Sequence, residues 1–358
     1  NLMDIRARIG YDGQEIYAFT FPWTGSLPEA VTLTGNVLPT DRDRAVAALD
    51  GRSSGGILGI REKNGQLEIR VVPFPAACAF TLTVDGKAYT AADGTRTTLW
   101  ADEFLPFEEN GVRYRLYTPK AQEKRPLILF LHGGGESGFD NQAQIMNCFG
   151  AAKLAQSYPD CYVLAPQAPG VTPEAEMLEQ MKNMTFATSD RGIPSAWSRD
   201  YLARVCDLVR NMIAQGKVNP ERVYVTGMSM GGGGTLRALN VGGDLFAAAV
   251  CICPTMTPET YEILRNLTHT KIWVTCSYLD HTYYRHKYIT DAILELRDAG
   301  NRDARLTIFA PEELEKYGIS ILKDMPLEQK AGWNHACWVP TYCNEHGCMS
   351  WMMNQRKA

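Results

Sequence analysis

The chain has 358 residues, a net charge of −4, 45% hydrophobic and 21% charged residues. These values fit an ordinary globular chain of one or two domains and exclude a disordered or collagen-like one. No run of five like charges invites nucleic acid or a membrane surface, and no apolar run approaches the ~20 residues that span a bilayer.

Residues 1–103 hold short β-rich runs: MDIRARI, QEIYAFTF, GILGIRE, QLEIRVV and CAFTLTV. Asp12-Gly13, Gly55-Gly56, Asn64-Gly65 and Asp85-Gly86 punctuate them. Asp-Gly and Asn-Gly supply the positive φ angles of tight hairpins, so this stretch predicts a small β-sandwich. It holds no cluster of catalytic residue types. Trp23 and Trp100 are its only tryptophans, which favours a structural or assembly role over carbohydrate binding.

From 104 to 358 the pattern changes. RPLILFLH, CYVLAP, RVYVTG, FAAAVCIC, KIWVTC and RLTIFA are continuous apolar runs, as expected of strands buried on both faces. Between them, 198–216 and 286–299 carry apolar residues at helical spacing, and Gly300 suits a C-cap. Alternation of buried strands and helices predicts an α/β layer fold with a mostly parallel sheet. Residues 167–197 and 311–334 exceed the usual αβ and βα connections, which marks them as functional insertions.

Gly227-Met228-Ser229-Met230-Gly231 is a G-x-S-x-G pattern, weak alone. It gains weight because it directly follows the buried strand RVYVT and precedes the helical stretch GGGGTLRAL, the setting of a nucleophile elbow. His132-Gly133-Gly134-Gly135 ends another strand, where backbone N–H groups can face an oxyanion. The same glycines with Gly138 spell a G-x-G-x-x-G decoy, but Asp160 precedes its strand rather than ending it, against a dinucleotide site.

A serine nucleophile needs a base and an acid to orient it. Asp280 follows the strand KIWVTC and His335 lies beyond the last strand, in the chain order Ser, acid, His. Asp291 is the substitute acid, though it reads as helical. His132, His269, His281, His286 and His346 are worse placed.

Ten cysteines are present, several inside apolar runs, which reads as buried thiols. No spacing suits zinc, so no metal is expected. Cys343 and Cys348 are near enough in sequence to pair.

The stretches YRLYTPK, PLILFLHGGGESGFDN, NPERVYVTGMSMGGGGT, KIWVTCSYLDHT and HACWVPTY resemble bacterial α/β-hydrolase esterases, the phospholipase/carboxylesterase and feruloyl-esterase-like group. Some members of that group carry an N-terminal immunoglobulin-like domain. The resemblance covers about 104–351 and implies an α/β-hydrolase domain at 104–358 behind an immunoglobulin-like sandwich at 1–103. It implies Ser229, Asp280 and His335 as the triad, Gly134 and Met230 as oxyanion donors, and no cofactor. Glu136, Asp140 and Asn141 match a recurring pattern without a clear role.

The extra length at 171–196 and 311–332 departs from the pattern, so the substrate does not carry over. Trp197, Tyr278, Trp333 and Trp338 are the expected substrate contacts. Met177, Met181, Met184, Phe186, Tyr317, Ile319 and Ile321 are further pocket candidates. Short-chain or aromatic, feruloyl-type esters are the expected substrates, including esters linked to plant polysaccharide. A homo-oligomer through the front domain is a further expected partner arrangement. A serine peptidase of the prolyl-oligopeptidase type and a non-catalytic binding protein are the alternatives. A secreted or periplasmic protein with its leader removed is expected, with the cytoplasm left open by the ten cysteines.

Overall fold

The computed structural model describes residues 3–35, 56–121, 123–170, 197–280, 285–319 and 334–357. The front of the chain forms strands β1 (Met3–Gly10), β2 (Gly13–Pro22), β3 (Val31–Gly35), β4 (Ile57–Lys63), β5 (Gln66–Pro75), β6 (Phe80–Val84), β7 (Lys87–Tyr89) and β8 (Gly94–Thr98). They make a five-stranded sheet in the order β4-β5-β2-β1-β8 and a three-stranded sheet β3-β6-β7. All pairs are antiparallel except β1 with β8.

The sheets face each other as the alternation predicts. Leu67, Ile69 and Val71 of β5 and Phe80, Leu82 and Val84 of β6 each sit at every second position and share one buried core. The rings of Phe19 and Phe80 meet across it at 5.1 Å. Asn64-Gly65 and Asp85-Gly86 turn their hairpins with positive φ at both residues. In the first hairpin the two-residue loop is Tyr11-Asp12, one position earlier than the Asp12-Gly13 signal suggests, because Gly10 pairs with Gly13.

The second unit has an eight-stranded sheet built from β9 (Leu105–Glu109), β10 (Val112–Tyr117), β11 (Arg125–Leu131), β12 (Tyr162–Pro166), β13 (Val218–Met228), β14 (Ala248–Ile252), β15 (Ile272–Ser277) and β16 (Ala304–Phe309). Its order is β16-β15-β14-β13-β11-β12-β10-β9. Strands from β16 to β12 are parallel, and β10 and β9 add antiparallel at one edge.

Helices cover both faces, which is why the central strands are apolar throughout. Leu127, Leu129 and Leu131 of β11 face a layer containing α3 (Arg199–Ala214), α4 (Met230–Gly242), α5 (Pro258–Arg265) and α6 (Arg285–Asp298). Ile128 and Phe130 face the layer of α1 (Ala143–Met146), α2 (Ala151–Ser157), α7 (Pro311–Glu315), α8 (Trp338–Tyr342) and α9 (Cys348–Met353). In α3, Leu202, Val205, Cys206, Val209 and Met212 are buried at the expected spacing, and Ser198 caps the first turn by accepting from the Tyr201 N–H. Gly300 follows α6 with φ of 104°, a conformation that suits glycine.

Candidate active site

β13 runs straight into α4, and Ser229 is the hinge between them. Its φ and ψ are 57° and −117°, a strained pair for a residue with a side chain. Hydrogen bonds hold it there. The Ser229 N–H donates to the Ile252 carbonyl at 3.0 Å, and its own carbonyl accepts from Gly232, Gly233 and Thr255. The flanking glycines are a steric necessity. A Cβ on Gly231 would stand 2.0 Å from the Leu131 carbonyl oxygen, and one on Gly227 would stand 2.3 Å from that of Gly231. The elbow, the end of β11 and α4 therefore approach at backbone contact.

The elbow lifts Ser229 to the C-terminal edge of the sheet, where two other loops converge. His335 Nε2 lies 2.8 Å from Ser229 Oγ, and His335 Nδ1 lies 2.7 Å from Asp280 Oδ2. Asp280 sits just past β15 in a turn closed by its N–H donating to the Ser277 carbonyl, and its side chain is fully buried. With His335 Nδ1–H donating to Asp280, Nε2 of the neutral ring is the acceptor that faces the serine hydroxyl. Asp291 is elsewhere, exposed and paired with Lys287 at 2.7 Å. Among the other histidines, His286 bonds the Asp280 carbonyl from its own helix, and His346 pairs with Glu313. His281 lies outside the described residues.

Two neighbours of Ser229, His335 and Asp280 had no sequence signal. Arg285 opens α6 and is buried, with Nη1 3.4 Å from His335 Nε2 and Nε 3.8 Å from Asp280 Oδ2. Its Nη1 also donates to the Cys253 carbonyl. Cys253 follows β14 with φ of 35°, held by its N–H donating to the Thr275 carbonyl at 2.7 Å. Burial opposes ionisation of its thiol, but Cys337, His335 and Arg285 pull it down to about 5. Burial likewise opposes a charged His335, but Cys253 and Asp280 favour it and lift the imidazole to about 9. Atoms of Cys253, Asp280 and His335 lie within 4.8 Å of one another, the spacing of a metal cluster. Both His335 nitrogens are engaged, however, and the Arg285 cation stands against a second cation there.

Gly133, Gly134, Gly135 and Glu136 follow β11 and line the same cavity as Ser229, His335 and Trp338, a space of about 320 Å³. Met230 is the first residue of α4, so its N–H belongs to the unsatisfied first turn of a helix. His132 is fully buried beneath this loop. Burial pulls its imidazole down to about 4, so it is neutral, with Nε2 accepting from the Ala168 N–H and Nδ1 donating to the Gly133 carbonyl. Glu136 has a side chain only 14% exposed, and burial pushes its carboxyl up to about 7 against the N–H donors of Gly133 and Glu136 itself.

Asp140 and Asn141 brace the loop rather than face the cavity. Burial would raise the Asp140 carboxyl, but donors from Gln142, Ala143 and Gln167 outweigh it and hold it below its usual range. Asn141 donates to the carbonyls of Phe107 and Tyr114.

Of the expected substrate contacts, Trp338 lines the cavity, its ring edge-on to His335 at 5.4 Å. Trp197 is corrected: it is 0% exposed, donates to the His132 carbonyl at 3.1 Å, and would be 2.7 Å from a Cβ on Gly234. It is a core residue beneath the site. Tyr278 is 60% exposed and is not among the residues that line this cavity. Ile319 is fully buried, and Tyr317 packs beside Tyr11. Trp333, Met177, Met181, Met184, Phe186 and Ile321 lie outside the described residues. All ten cysteines, Cys343 and Cys348 included, are unpaired. Tyr11 and Asp12, from the front hairpin, line the cavity at Ser229, which no local sequence pattern had suggested.

The fold is shared with solved proteins. A thermostable esterase superposes with a TM-score of 0.73 at 20% identity, over 99% of this chain and 100% of that one. S-formylglutathione hydrolase from Staphylococcus aureus gives 0.46 at 13% identity over 70% of this chain and 95% of its own. An acylaminoacyl peptidase from Pyrococcus horikoshii gives 0.44 at 15% over 96% and 54%. No curated protein matches the sequence. The model of the alpha/beta hydrolase family matches residues 128–341, a span that runs from β11 through the elbow to the histidine-bearing segment, and the chain belongs to that family.

Proposed function

We propose that this hydrolase is a serine carboxylic-ester hydrolase. What carries the reading is the unbroken chain of contacts from Ser229 Oγ to His335 to Asp280, at 2.8 and 2.7 Å, ending on a strained elbow. His335 takes the hydroxyl proton as Ser229 attacks the ester carbonyl. Asp280 orients the ring and stabilises its charged form. N–H groups of Gly134 and Met230 receive the oxyanion. His335 protonates the leaving alcohol, and water repeats the sequence on the acyl-enzyme.

The acyl group proposed is short or aromatic, feruloyl-type included. The cavity of about 320 Å³ and the ring of Trp338 at its wall support a compact acyl group over a long chain. The proposed division of the chain is a β-sandwich of immunoglobulin-like type at 1–103 and the hydrolase domain at 104–358. The test is labelling by a fluorophosphonate together with turnover of matched ester and amide substrates. Labelling that survives Ser229→Ala, or amide turnover matching ester turnover, overturns the reading.

A further inference from the structure

Ser229 and Arg285 are tied to neighbouring carbonyls. At the end of β14 the Ile252 carbonyl accepts from the Ser229 N–H at 3.0 Å, and the next carbonyl, that of Cys253, accepts from Arg285 Nη1. Cys253 is itself pinned to β15, with its N–H on the Thr275 carbonyl at 2.7 Å. Two consecutive backbone groups therefore fix the serine and the guanidinium relative to one another. His335 Nε2 sits between them, 2.8 Å from Ser229 Oγ and 3.4 Å from Arg285 Nη1.

We propose that Arg285 is a positioning residue for the proton transfer: its guanidinium holds His335 Nε2 free of a proton, and so open to the Ser229 hydroxyl, until attack begins. The proposal rests on the esterase reading. A guanidinium has only donors and keeps its charge, so it can face the lone pair of a neutral Nε2. It meets a protonated Nε2 donor to donor and cation to cation. The other titratable groups around the ring act differently. Burial opposes a charged ring, Cys253 after β14 and Asp280 after β15 favour it, and Arg285 opposes it. Cys337 bonds Cys253, while Asp12, Glu136 and Cys148 line the cavity at Ser229 from the front hairpin, the loop after β11 and the chain after α1. Among the described residues that touch the ring or line that cavity, Arg285 is the only cation.

A residue that merely braced the start of α6 would close its ion pair. Arg285 leaves it open. Asp280 Oδ2 is committed to His335 Nδ1 at 2.7 Å, and Arg285 Nε stands 3.8 Å from that oxygen. Although buried, Nε has no hydrogen-bond partner among the described residues. An incompletely paired buried charge lowers stability. What the arrangement gains is a positive charge aimed at the ring nitrogen that must stay bare.

The test follows kcat/KM on 4-nitrophenyl acetate, and the rate of fluorophosphonate labelling of Ser229, from about pH 6 to 10. It uses the full chain and its variants Arg285→Met, Arg285→Gln and Arg285→Lys. Methionine removes the charge, glutamine removes it but keeps an N–H for the Cys253 carbonyl, and lysine keeps the charge. Both neutral variants should be about tenfold or more slower near pH 7 with both probes, because the rising limb moves up by about one pH unit or more. The gap should narrow as pH rises, and Arg285→Lys should keep the limb near its wild-type place. A loss that is the same at every pH is a packing defect and overturns the proposal. So does a limb that stays put in a folded neutral variant, or one that moves equally in Arg285→Lys. Failure of both neutral variants to fold, read from their melting, would make Arg285 a brace and overturns it as well. Absent ester turnover with a labelling limb that moves as expected overturns the esterase reading and leaves the role of Arg285 standing.

Discussion

Replacing Glu136 by glutamine should stabilise this protein, and only above a definite pH. The carboxyl is buried beside His132 and the glycines that follow β11, and burial raises it from 4.5 to about 7. In the unfolded chain it ionises near 4.5. Between those values the folded state holds a proton that the unfolded state has lost, so stability falls as pH rises through the window. Below pH 4.5 the group is neutral in both states and the difference vanishes. At pH 8 it is ionised in both, and the folded state carries the full burden of a buried anion, about 3 kcal/mol. Glutamine keeps the shape, never ionises, and gives up one acceptor oxygen to the N–H groups of Gly133 and Glu136. The expected outcome in urea unfolding is that Glu136→Gln matches wild type near pH 4.5 and exceeds it by roughly 2–3 kcal/mol at pH 8. Stability curves that run parallel from pH 4.5 to 8 would refute the argument, because a merely steric effect does not depend on pH.

The outline of the fold was legible in the sequence because its signals are local. Buried strands such as LILFL announce themselves by unbroken apolarity, and Ser229 by glycines that backbone contact at Leu131 and Gly231 demands. The order of Ser229, Asp280 and His335 was readable since each follows a strand in a known sequence. Tertiary placement was not. Nothing local separates a tryptophan lining a pocket from one supporting it, and Trp197 lies beneath His132 because α3 enters the core there. Cys253 and Arg285 reach the triad through the register of β14 on β15 and the start of α6, which no motif records. Tyr11 and Asp12 meet the cavity at Ser229 across more than 200 residues of chain. Their turn chemistry was visible, but the surface on which the turn lands was not.

Ser229→Ala should keep the fold and lower kcat by ~10⁴–10⁶, measured on a nitrophenyl ester, while Asp280→Asn should cost less and Asp291→Asn almost nothing. A defect in Asp291→Asn comparable to that of Asp280→Asn would show the acid to be misassigned. Gly231→Ala should fail to reach a native elbow, because its Cβ would stand 2.0 Å from the Leu131 carbonyl and 2.4 Å from that of His132; a normal melting temperature would sink that claim. The last prediction concerns Cys253. Its thiol stands among Cys337, His335 and Arg285, and its anion is one of the causes that lift His335 to about 9. A base must be unprotonated to take the serine proton, so activity should rise with pH as His335 loses its own. Cys253→Ala removes the anion and leaves Asp280 in place. The imidazole should then titrate lower, and the rising limb of kcat/KM should move toward lower pH. Burial and the Arg285 cation, which oppose a charged ring, remain and push the same way. A limb that stays put or moves to higher pH in Cys253→Ala would mean that the thiol is neutral and that Asp280 alone sets the histidine.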